Sequence, residues 1–406
     1  MQKVLFIGKV WPEPSSSAAG TRILQLVDLF LDQSMQVTFT SVASKSPHSY
    51  PFNNPNVKEK NIQLNDEHFD VFIQELKPDY VVFDRFMIEE QFGWRIRKHC
   101  PKAITILDTE DLHFLREART IAYKKNQPLH LHTSLAKREV ASILRCDLVL
   151  IISNVEIDLL VNTFNVPAHI LLHLPFLEDT STLSHSEVKD FEKRSNFVFI
   201  GNYLHEPNYE TLLVLKKEIW PELSKKLPKA ELHIYGAYAN QKVWQLHNQK
   251  ERFIIKGRAE NARQTLAHYK VLLAPIPFGA GIKGKFVDAM FSGTPSITTS
   301  IGAESMYFHK TWNGCVTDNQ VKMIENAKVL YEDAALWEES QNKGFIILDE
   351  LFNKEKFTQI FWETFNQIRE NLKVHRQQNF MGEILKTNQF NSHKYMSLWI
   401  EAKNKS

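Results

Sequence analysis

The segment FGAGIKGKFVDAM, Phe278–Met290, combines three glycines and two lysines with the start of a helical pattern. Gly279, Gly281 and Gly284 allow positive φ angles and bring the backbone close to a ligand. The helix predicted over Phe286–Ser292 has free N–H groups at its start, and these groups favour an anion. The segment therefore predicts an anion-binding turn that leads into a helix.

Lys283 and Lys285 lie at the same helix start, where the helix dipole disfavours positive side chains by roughly 0.3–1 kcal/mol. A diphosphate would compensate for this cost, because it would bind both lysines and the helix N–H groups together. Asp288, one turn inside the helix, would then accept hydrogen bonds from ribose hydroxyls. The alternative is a glycine-rich turn with two solvated lysines, and the segment alone leaves the two interpretations equal.

Outward from this segment, short apolar runs alternate with helical patterns, which predicts parallel sheets with helices on both faces. The strands predicted in the first half are Lys3–Gly8, Gln36–Ser41, Tyr80–Asp84, Ile104–Asp108 and Leu148–Ser153. The helices predicted there are Thr21–Asp32, Glu89–Cys100 and Ser134–Arg145. The strands predicted in the second half are Phe197–Gly201, Glu231–Gly236, Phe253–Gly257, Val271–Pro275 and Ser296–Thr299.

A chain of 406 residues is long enough for two domains, each with a core of its own. The segment Glu178–Asn196 is polar and lacks apolar periodicity, as is typical of a linker. We therefore predict one Rossmann-like domain over 1–180 and another over 181–375, facing each other across a cleft. A helical tail over 376–406 is expected to pack back on the first domain. Its apolar positions are Tyr395, Met396, Leu398, Trp399 and Ile400.

The composition is that of an ordinary soluble protein, with 43% apolar and 24% charged residues. A net charge of +2 gives no bulk reason to expect a nucleic-acid partner. The three cysteines are far apart and form no CxxC pair, which favours a reducing compartment. No apolar run approaches the roughly 18 residues of a membrane span, and the N-terminal run is too short for a signal peptide. We therefore expect a cytoplasmic protein.

Four segments resemble those of GT-B glycosyltransferases of the retaining family-4 type, also called glycosyl transferases group 1. Phe278–Met306 resembles the donor-binding segment of that family. Phe197–Pro221 resembles the first strand of its C-terminal domain, with a glycine turn and a Pro-Asn pair that opens a helix. Trp11–Arg22 resembles the flexible loop after its first strand, and Cys146–Leu160 resembles a strand and Ser-initiated helix late in its N-terminal domain. The resemblance implies the GT-B fold, with two Rossmann-like domains across a cleft.

The resemblance also implies an activity. A sugar would pass from a nucleotide-diphosphate donor, with retention of configuration, to a glycan or lipid-linked acceptor held mainly by the N-terminal domain. The nucleotide sugar is a substrate, and no cofactor or metal is expected. Lys283 and Lys285 would stabilise charge on the departing diphosphate, and Asp288 would fix the nucleotide. Further contacts to the donor are expected at Gly201, Asn202, Gly257, Arg258, Gly279 and Gly281.

One departure from the family pattern concerns its usual pair of glutamates, which are separated by seven residues. Asp288 occupies the second position, and Ala280 occupies the first. The missing carboxylate commonly holds a sugar hydroxyl, so backbone N–H groups of Gly279–Lys283 are expected to contact the sugar instead. The identity of the donor sugar is left open.

In the first half, Leu107–Arg119 follows a predicted strand and places Asp108, Glu110, Asp111 and His113 on the cleft side. Family members often have a histidine near this point that contacts the donor sugar, and Asp111 and His113 are the nearest matches. These two residues are therefore predicted to take part in catalysis. The alternative is that Asp108 or Asp111 caps the following helix and that His113 lies on the surface.

The small residues Ala18–Thr21 precede a helix and would let the backbone approach the donor phosphate or an acceptor. Gly20 and Arg22 are therefore predicted to contact substrate, with Arg22 pointing into the cleft. The alternative is that Arg22 is an exposed residue in the first turn of the helix.

Two other patterns, a pair of histidines and two basic clusters, give weaker predictions of binding sites. His130 and His132 share one face of an extended segment, but no third ligand lies near them, so no metal site is expected. Two basic clusters would suit peripheral contact with anionic lipid headgroups at the inner face of a membrane, although interspersed glutamates favour a solvated face. The clusters are Arg95, Arg97, Lys98, His99 and Lys102, and Lys124, Lys125, Lys137 and Arg138.

Other functions remain open on the sequence. Ala280 would suit a catalytically silent GT-B protein that acts as a binding or scaffold subunit. A GT-B sugar epimerase or phosphorylase is also an alternative, although the residues such enzymes need are not assigned here. An NAD-dependent oxidoreductase is disfavoured, because Gly8–Gly20 contains no GxGxxG pattern.

Overall fold

The computed structural model describes residues 1–182 and 190–387, and beyond them only Tyr395, Trp399 and Lys403. In the first half of the chain, seven parallel strands form a sheet in the order β3-β2-β1-β4-β5-β6-β7. These strands are β1 (Lys3–Gly8), β2 (Gln36–Ser41), β3 (Val57–Asn61), β4 (Tyr80–Asp84), β5 (Ile104–Asp108), β6 (Leu148–Ile151) and β7 (Leu171–His173). The helices between them are α1 (Ala18–Leu31), α2 (His68–Leu76), α3 (Phe86–His99), α4 (His113–Lys125), α5 (Ser134–Arg145) and α6 (Asn154–Phe164).

The second half contains a parallel sheet of six strands in the order β10-β9-β8-β11-β12-β13. Its strands are β8 (Ser195–Asn202), β9 (Leu232–Ala237), β10 (Phe253–Gly257), β11 (Tyr269–Ala274), β12 (Ser296–Thr298) and β13 (Gly314–Val316). Its helices are α7 (Glu206–Val214), α8 (Trp220–Lys226), α9 (Gln241–Trp244), α10 (Ala262–Leu266), α11 (Gly284–Phe291), α12 (Gln320–Glu332) and α13 (Ala334–Leu351).

Three last helices carry the chain back to the first sheet: α14 (Lys354–Glu370), α15 (Leu372–Gln378) and α16 (Phe380–Lys386). In α14, Phe361 packs 5.8 Å from the ring of Phe30, and Phe365 packs 4.9 Å from the ring of Tyr80. The chain therefore rejoins the first domain from residue 354, before the point at 376 where the sequence placed the tail. Of the apolar tail positions, Tyr395 and Trp399 are exposed, and Met396, Leu398 and Ile400 lie outside the described residues.

The predicted fold class is confirmed, since two parallel sheets with flanking helices form two Rossmann-like domains. The sequence did not predict β3, β7 and β13, and each of them lies at a sheet edge. In β3 only Val57 is buried, because the other four residues face solvent. Such a strand lacks the apolar run by which an interior strand is recognised, whereas every residue of β4 is buried. Among the described helices, none has the length and apolar character of a membrane span.

Candidate active site

A cavity of about 500 Å³ lies between the two domains, where the carboxyl ends of strands from both sheets approach each other. Loops after β1, β4 and β5 form the first-domain wall, and loops after β8 and β11 together with α11 form the second-domain wall. Polar residues on the first-domain wall are Lys9, Arg85, Glu110, Asp111, His113 and Arg116. Predicted residues on the second-domain wall are Gly201, Asn202, Gly279, Lys283, Lys285 and Asp288.

On the second-domain wall, α11 begins at Gly284 with Lys283 as its N-cap residue. The Lys283 ammonium donates to the carbonyl oxygen of Gly281 at 2.8 Å. The Lys285 ammonium donates to Oδ1 of Asn208 at 2.6 Å and lies 4.2 Å from the ring centre of Phe199. Within the described part of the chain, neither ammonium has a carboxylate within salt-bridge distance.

Burial of these ammonium groups changes their acid–base behaviour. Desolvation lowers the pKa of Lys283 to about 8. Desolvation, together with the charge of Lys283, lowers the pKa of Lys285 to about 7. An anionic ligand stabilises a buried ammonium group most strongly when that group has neither water nor a counterion. The electrostatics at the start of α11 therefore favour an anionic ligand.

Asp288 lies one turn into α11 and is held by an arginine that the sequence did not predict. Arg263 donates to Oδ1 of Asp288 at 2.8 Å and to Oε2 of Glu178 at 2.8 Å. Glu178 lies in the crossover between the domains. Arg263 thus holds the Asp288 carboxylate at the cavity and links it to Glu178 in the crossover between the domains.

On the opposite side, Arg22 is only 1% exposed and forms an ion pair with Asp108, Nη2 to Oδ1 at 2.8 Å. Its Nη1 donates to the carbonyl oxygens of Leu174 and Pro175, at 2.8 and 3.1 Å. The prediction that Arg22 points into the cleft is wrong, because its charge is neutralised inside the first domain. Arg22 instead joins the carboxyl end of β5 to the segment that leaves the domain.

Asp111 and His113 both lie on the cavity wall, but they are held by partners. Asp111 is in contact with Arg116, and although burial opposes it, Arg116 and His113 hold the pKa of Asp111 down to about 2. The backbone N–H groups of His113 and Phe114 donate to Glu139 at 3.0 and 2.8 Å. The alternative in which Asp108 or Asp111 caps this helix is wrong, since Glu139 of α5 binds its first N–H groups.

Glu156 of α6 connects the two domains through one buried oxygen. Its Oε1 accepts from the N–H of Gly281 at 2.8 Å and from the N–H of Leu112 at 3.2 Å. The prediction that the N–H of Gly281 contacts the sugar is therefore wrong, because Glu156 already occupies it. Ala280 packs its methyl group into the core of the first domain. Ala280 also lines the cavity, and an alanine there has no carboxylate to offer a sugar hydroxyl.

Five predicted residues do not line the cavity: Gly20, Arg22, Gly257, Arg258 and Gly281. A β-carbon at Gly20 would clash with the backbone of Glu13, so Gly20 allows the loop before α1 to pack closely. Arg258 lies next to the cavity and donates to the Ser16 hydroxyl at 2.6 Å. Arg258 thus joins the two domains at the cavity edge, whereas Gly20 packs within the first domain.

A second contact between the domains involves Arg119 of α4. Its Nη1 donates to the carbonyl oxygen of Gly279 at 2.7 Å, and its Nη2 pairs with Glu304 at 2.7 Å. The loop that carries Lys283 is thus docked against the first domain at both Gly279 and Gly281. This contact could not be predicted from the sequence, because its partners are separated by more than 150 positions.

The basic clusters are largely paired with acids. Arg95 pairs with Asp70, Arg97 with Glu89, and Arg138 with Glu90. Lys124 reaches across to Glu206 of the second domain. His130 and His132 lie in the irregular segment between α4 and α5. Across residues 1–182 and 190–387, no group of three or more His, Cys, Asp or Glu side chains is placed to hold a metal ion.

Comparison with known proteins found one family model that matches part of the chain. Residues 194–333 match the family model for glycosyl transferases group 1. A search of curated proteins found no match to the chain.

Solved structures similar to the chain include three bacterial proteins, at low sequence identity. Sucrose-phosphate synthase of Thermosynechococcus elongatus is 14% identical, with 91% of this chain and 99% of that chain covered and a TM-score of 0.68. TarM of S. aureus, in a complex that contains UDP, is 10% identical, with 90% and 100% covered and a TM-score of 0.69. HepE of Anabaena, in complex with UDP and glucose, is 13% identical, with 90% and 100% covered and a TM-score of 0.64. The chain has the GT-B fold, and residues 194–333 in its second domain match the glycosyl transferases group 1 model.

Proposed function

We propose that this protein transfers a sugar from a nucleotide-diphosphate sugar to a glycan or lipid-linked acceptor, with retention of configuration. The observation that carries the proposal is the pair of desolvated lysines at the start of α11. Lys283 and Lys285 face the cavity without a carboxylate partner in the described residues, and burial has lowered the pKa of both. A diphosphate supplies the two missing negative charges.

In the reaction, negative charge builds on the diphosphate as its bond to the sugar breaks. Lys283, Lys285 and the first N–H groups of α11 form preorganised donors at that point, and such donors are usually the largest single contribution to catalysis. Asp288, fixed by Arg263, would accept from the nucleotide ribose. The first-domain wall would hold the acceptor, with Asp111 and His113 next to the sugar.

The comparisons support the donor class. UDP is present in complexes of TarM and of HepE, which share this fold. The matched segment 194–333 contains both lysines and Asp288. No cofactor and no metal is proposed, since the two lysines supply the positive charge that the leaving diphosphate requires.

The first experiment measures thermal shifts with UDP, GDP, ADP and dTDP on the wild type and on Lys285→Ala. We expect one nucleotide to raise the melting temperature of the wild type and to raise that of the variant by much less. Lys322→Ala is the matched control, because Lys322 is an exposed lysine in the first turn of another helix, α12. No shift with any nucleotide would contradict the proposal and favour a catalytically silent scaffold protein.

The stereochemistry is tested separately by following the anomeric proton of the first product by NMR. Retention is expected, and an inverted product would contradict that part of the proposal. Turnover of the nucleotide sugar to an epimer without any acceptor would instead favour a sugar epimerase.

A further inference from the structure

Glu110 is a buried carboxyl group on the first-domain wall that the proposed donor chemistry does not use. Its residue is 9% exposed and lines the cavity. Its Oε1 is buried and has no hydrogen-bond partner among the described residues. A buried polar atom without a partner is costly, so native proteins satisfy almost all of them. Because Glu110 also lines the cavity, a ligand there would lie next to this carboxyl group.

The main chain places Glu110 next to the donor side of the cavity. Its φ angle is 63°, a conformation that non-glycine residues adopt rarely and mostly where the surroundings impose it. A β-carbon on Gly281 would lie 3.4 Å from the carbonyl oxygen of Glu110. The backbone of Glu110 thus contacts the loop that leads to Lys283, while its side chain faces the cavity from the other domain.

The charges around Glu110 come from three elements. Asp84 and Arg85 lie at the end of β4, Asp108 at the end of β5, and Arg22 in α1. Asp108 is paired with Arg22, and Asp84 lies 3.5 Å from Arg85, so these two pairs leave Glu110 without a cation of its own.

Burial, and then the charge of Asp108, raises the pKa of Glu110 to about 8. At pH 7 the carboxyl is mainly protonated, and it can both donate and accept a hydrogen bond. A hydroxyl group, which also does both, is the matching ligand.

We propose that Glu110 binds the hydroxyl group of the acceptor that receives the sugar. This inference rests on the proposed glycosyl transfer and deepens it, because it assigns the acceptor side of the cavity to a named residue. The carboxyl would hold the hydroxyl between the first-domain wall and the donor loop. Glu110 would therefore determine how well the acceptor competes with water for the sugar.

The test compares transfer with hydrolysis of the same donor. Wild type, Glu110→Ala and Glu110→Gln are each incubated with UDP-glucose, UDP-N-acetylglucosamine, GDP-mannose and ADP-glucose, with a mixture of methyl glycosides as acceptors. The measured quantity is the ratio of glycoside transfer to donor hydrolysis. Glu117→Gln is the matched control, since Glu117 is an exposed glutamate of α4.

We expect Glu110→Ala to lower this ratio by about tenfold to a hundredfold, because an acceptor hydroxyl loses its hydrogen-bond partner. Glu110→Gln should retain the ratio at pH 7, because a neutral amide also donates and accepts. An unchanged ratio in Glu110→Ala would overturn the inference. A wild type that neither hydrolyses nor transfers from any donor would overturn the proposed function itself, and the inference with it.

A pH series gives a second readout if Glu110→Ala does not fold. The wild-type ratio should fall between pH 7 and 9 as Glu110 loses its proton, whereas the ratio in Glu110→Gln should stay constant. Titration of Lys283 and Lys285 changes donor use in both reactions and therefore cancels in the ratio. The same fall in wild type and Glu110→Gln would contradict the assignment of Glu110.

Discussion

The two walls of the cavity differ in how their charges are balanced. On the second-domain wall, Lys283 and Lys285 have only neutral oxygen partners, a carbonyl and an amide. On the first-domain wall, Arg116 neutralises Asp111, and Arg85 lies 3.5 Å from Asp84. Behind this wall, Arg22 neutralises Asp108 inside the domain. The second-domain wall carries two lysines without a counterion. On the first-domain wall Asp111 is paired, whereas Lys9 has no carboxylate within salt-bridge distance among the described residues. The difference supports the proposal that the diphosphate of the donor binds the second-domain wall and that the acceptor binds the first-domain wall.

The largest expected effect concerns stability, in Arg22→Met. This change leaves Asp108 charged and unpaired in the interior, which typically costs about 3–5 kcal/mol of unfolding free energy. Urea denaturation measures the loss. Arg138→Met is the control, because the Arg138 pair with Glu90 is exposed and contributes about 1 kcal/mol or less. If Arg22→Met unfolded at the same urea concentration as the wild type, the Arg22–Asp108 pair would not contribute to the stability of the first domain.

The second prediction concerns Lys285→Ala, which should lower turnover of the nucleotide sugar by about a hundredfold to a thousandfold. Its stability should not fall, since the variant removes a desolvated cation without breaking an ion pair. Steady-state kinetics and thermal denaturation together test both parts. If Lys285→Ala lost stability but kept its turnover, Lys285 would serve folding and not the donor, and the prediction would be contradicted.

The third prediction concerns the docking of the donor loop on the first domain. Gly281 has a φ angle of 62°, and a β-carbon there would lie 2.8 Å from Cβ of Asp111. Gly281→Ala should destabilise the protein by about 1–3 kcal/mol. Gly279→Ala is the matched control, because its β-carbon would meet only Cε of Lys283, at 3.7 Å. Equal stability of the two variants, measured by urea denaturation, would contradict the observed docking.

The smallest expected effect is the pH dependence of the ligand-free protein and of its nucleotide affinity. In the folded protein the pKa values of Lys283 and Lys285 lie below the usual 10.5, so the unfolded chain binds more protons between about pH 7 and 10. These lysines should therefore make the ligand-free protein more stable as the pH rises through this window, and less stable as it falls.

Nucleotide affinity should change in the opposite direction. An anion binds the protonated lysines, so affinity should decrease by about tenfold from pH 6.5 to 9. Fluorescence titration with the nucleotide that gives the thermal shift measures it. Constant affinity across this range would mean that the lysines do not contact the diphosphate.

Much of the fold could be predicted from the sequence, because interior parallel strands are apolar runs. The bounds predicted for β1, β2, β4, β5 and β10 coincide with the observed strands. The edge strands could not be predicted, since β3 exposes four of its five residues. The packing of α14 on the first domain could not be predicted either, because amphipathic periodicity does not show which surface covers the apolar face of a helix.

The two walls also differ in how far the sequence revealed them. Lys283, Lys285 and Asp288 lie within one continuous segment, and all three line the cavity. The first-domain wall combines residues from the ends of separate strands, and the sequence does not show which of their charges are paired. The small residues before α1 favour a position in the cleft for Arg22, and its partner Asp108, 86 positions away, gives no local signal against it. The sequence does not reveal the role of Glu156, because Glu156 contacts Gly281 across the two domains.

The most direct test of the central claim is isothermal titration of the wild type with UDP at pH 8, in two buffers of different ionisation enthalpy. Binding at the desolvated lysines should take up about one proton per nucleotide, because Lys283 and Lys285 become protonated next to the diphosphate. Another nucleotide diphosphate replaces UDP if the thermal shifts favour it. The account predicts that this uptake decreases in Lys285→Ala and persists in Lys322→Ala. Nucleotide binding without proton uptake, or no binding at all, would contradict it.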